Sequence, residues 1–198
     1  MKRFGIPFLA LALLGLMGAF GPAAFAQGSP AAPLSTKQLP LPPLAHPLGD
    51  IPDTQVFVGH RSPLGFFLKV PEGWARRQTA TGVNFSNAYN SVSVEITQVA
   101  SAPTLASVKT QQVAALEALP TAVRITKVVA VDLPAGKAIL IAFSSNSEPN
   151  AVTGKAIRLE NDQYLLWKRG RLATLTLSAP FGADNADQWN LIARSFQW

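Results

Sequence analysis

The sequence predicts an α+β domain whose sheet is mostly antiparallel, with about six to eight strands packed against helices. Three observations carry that expectation. Residues 91–97 alternate cleanly, with Val92, Val94 and Ile96 on one face and Ser93 and Glu95 on the other. That is the pattern of a half-buried antiparallel strand. Other strand-like runs follow at hairpin spacing, separated by Pro-, Gly- and Asn-containing turns. Two apolar stripes at helical spacing interrupt or close this series, where an α/β chain would alternate helix with strand throughout.

Taken in order, residues 65–70 (Gly-Phe-Phe-Leu-Lys-Val) read as a strand stopped by Pro71-Glu72-Gly73. Residues 83–86 form a short strand before the alternating one. A helix is expected over residues 104–119, where Leu105, Val108, Leu116 and Leu119 make the apolar stripe. The Thr104 hydroxyl can accept from a free N–H of the first turn, and Pro120 ends the helix. Strands resume at 122–133 and 136–145, with Pro134-Ala135-Gly136 turning between them. Residues 154–159 and 164–168 read as two strands flanking a turn at Asn161-Asp162, and 172–178 follows a turn at Arg169-Gly170. A last helix is expected from about Asp184, because Trp189, Ile192, Ala193 and Phe196 recur at i, i+3, i+4 and i+7. Asp184 is placed to cap it, and Asp187 in the first turn suits the helix dipole.

Ahead of this domain, residues 1–26 have the three parts of a secretory signal. Lys2 and Arg3 are the positive start, residues 6–20 the apolar run, and Ala24-Phe25-Ala26 the cleavage site. Residues 27–54 hold Pro30, Pro33, Pro40, Pro42, Pro43, Pro47 and Pro52. Proline fixes φ and removes backbone donors, so this stretch reads as a disordered or extended tether in front of one domain at 55–198.

Composition excludes several classes. The chain of 198 residues has no cysteine, which rules out disulfides, zinc–cysteine sites and cysteine nucleophiles. Lys and Arg number 17 against 11 Asp and Glu. Cleavage after Ala26 would leave a net charge of +4, with the basic residues scattered. A nucleic-acid binder would show a dense basic stripe, so no nucleic acid is expected.

The layout resembles the PsbP-like family. The phrase that carries the resemblance is the strand from Gly65 to Val70 running into Pro71-Glu72-Gly73-Trp74. The 91–97 strand, the mid-chain helix and the terminal helix with Trp189 and Ser195-Phe196 are similar to the same plan, over roughly residues 57–198. The resemblance implies an antiparallel sheet packed between helices and a non-catalytic accessory role at a membrane-associated complex. It carries over no ligand or docking residue.

Chemistry-bearing residues are few. His46, Asp50, Asp53 and His60 could in principle supply zinc ligands, but a prolyl segment holds ligands poorly and the spacing matches no helix face. No G-x-S-x-G elbow and no glycine-rich phosphate loop occur. Glu72, Glu95, Glu117, Glu148 and Glu160 fall in different elements, and Glu95 and Glu160 read as solvated. The Asn84-Phe85-Ser86 sequon lies in a strand. The terminal Phe196-Gln197-Trp198 follows helical spacing, which does not suit a membrane barrel.

Two basic groups stand out. Arg76-Arg77 follows the tryptophan turn, and Lys168-Arg169-Gly170-Arg171 forms a hairpin tip beside Trp167. If they lie together, Arg76, Arg77, Trp167, Lys168, Arg169 and Arg171 form one binding face for an acidic partner or, weakly, an anionic membrane surface. Charge reversal at Arg169 and Arg171 is then expected to weaken binding and leave folding intact. The expectation is an exported protein, periplasmic or extracellular, that serves a cell-envelope complex without catalysis, cofactor or metal. Two other classes stay open: a carrier of a small apolar ligand in the sheet–helix cleft, and a hydrolase using His60.

Overall fold

The computed structural model describes residues 37–198. The signal-like segment therefore lies outside the described residues. Among the described residues, nine strands form two antiparallel sheets. A hairpin of β1 (Phe57–Arg61) and β2 (Phe67–Pro71) makes the small one. The large sheet contains β3 (Ala75–Gln78), β4 (Gly82–Ser86), β5 (Ser91–Gln98), β6 (Arg124–Leu133), β7 (Gly136–Asn146), β8 (Arg158–Lys168) and β9 (Arg171–Pro180). Its order is β3-β4-β5-β9-β8-β7-β6. The described residues also form three helices: α1 (Leu105–Thr110), α2 (Gln112–Glu117) and α3 (Ala186–Ser195).

Strand alternation sorts the core onto two faces. Val92 and Val94 of β5, Leu175 and Leu177 of β9, and Tyr164 and Leu166 of β8 share an inner face. The β1–β2 hairpin and α3 cover it, through Phe66, Leu68, Trp189, Ile192 and Phe196. Ile139, Ile141 and Phe143 of β7 and Leu165 of β8 point the other way, under Val108 of α1 and Val113 and Leu116 of α2. Burial of such a side chain contributes roughly 1.5–3 kcal/mol.

Several expectations are corrected. The mid-chain helix is two short helices that break at Gln111. Thr104 does cap the first, in a reciprocal box with Ser107. The Thr110 hydroxyl then donates back to the Ala106 and Ser107 carbonyls, a local competition that disturbs a helix. Leu119 is exposed and anchors nothing.

Asn161-Asp162 is no turn; it lies inside the continuous strand β8, paired with β7 and β9. Asn161 satisfies its amide on the Phe143 carbonyl and the Ser145 hydroxyl, so tertiary pairing overrides turn propensity. Asn185, not Asp184, is the N-cap residue of α3, with no side-chain cap bond. Its buried side chain accepts from Ile51 N–H at 2.7 Å and donates to the Gly49 carbonyl at 3.0 Å.

The described part of the proline-rich stretch has no helix or strand, as its prolines require. It is nevertheless bonded along the domain. Leu41 N–H donates to Asn146 Oδ1, and the Asn146 amide donates to Gln38 Oε1 and the Leu39 carbonyl. Gln38 N–H donates to the Pro120 carbonyl, and Ile51 is buried in the main core.

Candidate functional site: a basic hairpin tip

The turn between β8 and β9 has two residues, Arg169 and Gly170, both at positive φ, 49° and 78°. That is the geometry of a primed hairpin turn, whose first position favours Asn, Asp or Gly. Arginine there carries a backbone cost on the order of 1 kcal/mol. Lys168 and Arg169 are exposed, and Arg171 is half-buried.

The Arg171 guanidinium lies 5.3 Å above the Trp198 ring, and its Nη2 donates to the Leu64 carbonyl in the β1–β2 loop. Gly65 permits this approach. Its φ is +82°, and a Cβ there would sit 3.3 Å from Arg171 Nη1. Trp198 packs edge-on against Phe196 at 5.4 Å, and its Nε1 is buried without an acceptor. Together Gly65, Lys168, Arg169, Arg171 and Trp198 line an open pocket of about 280 Å³. Among the described residues the one ion pair is Lys137–Asp132, so no side-chain carboxylate neutralises these three cations. The arrangement can attract and hold an anionic group.

Arg76 and Arg77 do not join this pocket. They are exposed on β3, at the far edge of the sheet. Arg76 is opposite Phe85, Phe85 opposite Val92, and Val92 opposite Leu177. That register leaves Arg76 about 20 Å along and about 14 Å across the sheet from Arg171. Trp167 sits next to Lys168 but packs on the other side, with the cluster beneath α1 and α2. Gly65 and Trp198 complete the pocket from opposite ends of the domain, and no local motif announces them.

The histidine–aspartate set is not gathered. His46 is exposed, Asp50 accepts from Asp184 N–H, and Asp53 accepts from Gln188. His60 on β1 packs against Phe85 at 5.0 Å and Phe66 at 6.4 Å. Its Nε2 is buried without a hydrogen-bond partner, so no hydroxyl nucleophile is bonded to it. Burial, and then the Arg76 charge, hold its pKa below the usual value.

A second group of titratable side chains was not legible as one in the sequence. Glu160, Asp162 and Tyr164 share the inner face of β8 and line a cleft of about 350 Å³ with Asp184, Trp189 and Asn190. Glu160 is half-buried, so it is not the freely solvated group its position beside an expected turn implied. Burial raises the pKa of Glu160 and of Asp162, and burial with the Asp162 charge pushes Tyr164 up to about 12.

A carboxyl whose folded pKa is raised contributes stability below its ordinary value, and that contribution is lost as pH rises through the raised value. Asp162→Asn is therefore expected to raise the melting midpoint at about pH 7 and to change it little at about pH 4. His60 works in the opposite direction: its depressed pKa contributes stability at neutral pH that is lost as pH falls. The comparison is thus between variant and parent at each pH, by calorimetry. An Asp162→Asn midpoint no higher than the parent's at neutral pH would contradict the assignment.

The fold defines the class: this is an α+β protein of PsbP-like fold. No family model and no curated protein matches the chain. Among solved structures, the chain is similar to the cyanobacterial PsbP (CyanoP) of Synechocystis sp. PCC 6803. The two are 15% identical over 76% of this chain and 98% of that one, with a TM-score of 0.54. LpqN of Mycobacterium tuberculosis, described as involved in cell envelope biogenesis, is 16% identical over 73% of this chain and 90% of that one, with a TM-score of 0.46. A Pseudomonas aeruginosa protein described as a putative regulator is 19% identical over 67% and 90%, with a TM-score of 0.40.

Proposed function

We propose that this chain is an exported, non-catalytic accessory protein of the cell envelope that docks through its basic hairpin tip onto an acidic face of an envelope protein. The observation that carries the reading is the tip itself. Three cations without carboxylate partners converge there, and one of them, Arg169, occupies a backbone position that disfavours arginine. A residue kept at a conformational cost is a pointer to function. The signal-like N-terminus supports export, and the PsbP-like fold accords with an accessory role. Arg76 and Arg77 lie outside the tip pocket, and the docking contact proposed is confined to the tip.

The structure also changes how the reading is tested. Arg171 is built into the fold through Trp198 and Leu64, so reversing it would disturb folding as well as binding. Arg169→Asn avoids this, because asparagine suits the turn. It is expected to stabilise the protein by about 0.5–1 kcal/mol. Combined with Lys168→Glu, it is expected to weaken recovery of the partner in cells. The measurement is crosslinking of the tagged protein in intact cells, with mass spectrometry of what is attached. Loss of one dominant envelope protein in the double variant supports the docking reading. Unchanged recovery removes the tip from the contact, and binding only to anionic vesicles moves the partner from protein to membrane surface.

A further inference from the structure

A cleft of about 700 Å³ opens at the end of β8 and β9 opposite the basic tip, within the range of small-molecule sites. Its floor is one row of the outer sheet face. Val92 and Val94 of β5 turn into the core, so Ser91 points the other way. Ser91 lies in direct register with Ser86 of β4 on one side and Ser178 of β9 on the other. Strands lie about 4.8 Å apart, so the row sets out three hydroxyls at steps close to the length of one sugar ring. Each hydroxyl both donates and accepts.

Two loops and the proline-rich stretch make the walls. Asn87 Oδ1 accepts from the N–H groups of Tyr89 and Asn90, both at 2.8 Å. Asn150 Oδ1 accepts from those of Val152 and Thr153 at 2.9 and 3.0 Å. Each loop is thus fixed by its own asparagine, whose acceptor is spent on the turn while the amide nitrogen keeps its donors. Tyr89 is 46% exposed, and Leu44 and Leu48 are exposed beside it. The charged lining residues are Glu148 and Lys155, one of each sign.

We propose that this cleft binds an uncharged oligosaccharide carrying N-acetyl groups. Sugar hydroxyls pair with the serine row, and the C–H face of one ring lies on Tyr89. An N-acetyl carbonyl accepts from the free amide donors of Asn87 or Asn150, and its methyl group rests on Leu44 and Leu48. A purely aliphatic ligand would desolvate the serine row without pairing it, which is costly. A strongly charged ligand would find no net charge to oppose its own.

The test follows the amide signals of Ser86, Ser91 and Ser178 by NMR during titration with chitotetraose. Cellotetraose, which lacks the N-acetyl groups, and octanoate below its aggregating concentration are titrated separately. Chitotetraose is expected to move the three signals together and saturably, cellotetraose to bind at least roughly tenfold more weakly, and octanoate to leave them in place. Tyr89→Ala keeps the Cβ that packs beside Gly49 and removes only the ring. It is expected to weaken chitotetraose binding by roughly tenfold, and Ser91→Ala by a smaller factor. Lys168→Glu at the basic tip is expected to leave it within about twofold, because a solvent-exposed charge far from the cleft contributes little. Signals that chitotetraose does not move overturn the proposal. So does equal affinity in Tyr89→Ala, or an equal response to cellotetraose or octanoate.

Discussion

Phe196→Ala is expected to destabilise the protein by about 3–5 kcal/mol, a large share of the roughly 5–15 kcal/mol that a domain has in total. The ring is fully buried, stacks on Phe66 at 5.7 Å and meets Trp198 edge-on. It stands where α3 ends and the chain turns extended, just before Gln197 pairs with Phe67 of β2. Removing it opens a cavity at the junction of α3, the β1–β2 hairpin and the inner face of the sheet. It also removes the support under Trp198, on which Arg171 lies. The loss should appear as a lower denaturant midpoint at unchanged slope. Leu119→Ala is the control: that leucine is exposed, and its change should stay within about 0.5 kcal/mol. A Phe196→Ala midpoint close to the parent's would mean that α3 is not pinned through this ring.

Arg158→Met is expected to cost about 2–4 kcal/mol, by leaving several acceptors unpaired in the interior. Arg158 is 4% exposed. It donates to the Ala122 carbonyl at 2.8 Å, to Asn146 Oδ1 at 3.1 Å and to the Ser144 hydroxyl at 2.6 Å. Burial, and then the nearby Arg124 charge, lower its pKa. Its partners are neutral, so this is a structural clamp and not an ion pair. Ala122 is held at φ +52°, where a non-glycine residue is disfavoured, and the Arg158 bond helps to fix it. The same Asn146 binds Gln38, Leu39 and Leu41 of the proline-rich stretch. The clamp thus ties β7, β8 and residues 38–41 together. Arg158→Met and Asn146→Ala should therefore combine non-additively, because they share one network. Arg158→Met should also speed proteolysis in the proline-rich stretch. Additive losses with unchanged proteolysis would mean that the two residues act separately.

Local signals in the chain were reliable where packing agreed with them. The alternation of Val92, Val94 and Ile96 gave β5, the Thr104 cap gave the start of α1, and the stripe of Trp189, Ile192 and Ala193 gave the buried face of α3. They were misleading where pairing overrode propensity. Asn161 and Asp162 look like a turn, yet strands on both sides draw them into β8. Strands β1 and β3 carry no local signal, because Gly59-His60-Arg61 and Arg76-Arg77-Gln78 have no apolar alternation to mark them. Their partners β2 and β4 supply the apolar faces instead.

The candidate site divides the same way. The cations of Lys168-Arg169-Gly170-Arg171 and the turn that presents them are written in adjacent residues, because a two-residue hairpin is local chemistry. The separation of Arg76 and Arg77 from that tip depends on strand order, which places β4 and β5 between β3 and β9. The approach of Gly65 and Trp198 to Arg171, the burial of the Trp167 indole N–H without an acceptor, and the grouping of Glu160, Asp162 and Asp184 all depend on long-range packing. The sequence by itself determined the α+β class, the main strands, the capped helix start and the basic tip, since each rests on periodicity or on neighbours a few residues apart. Only the tertiary structure decided which charges meet, which polar groups are buried and where the clefts open, since those contacts join residues far apart in the chain.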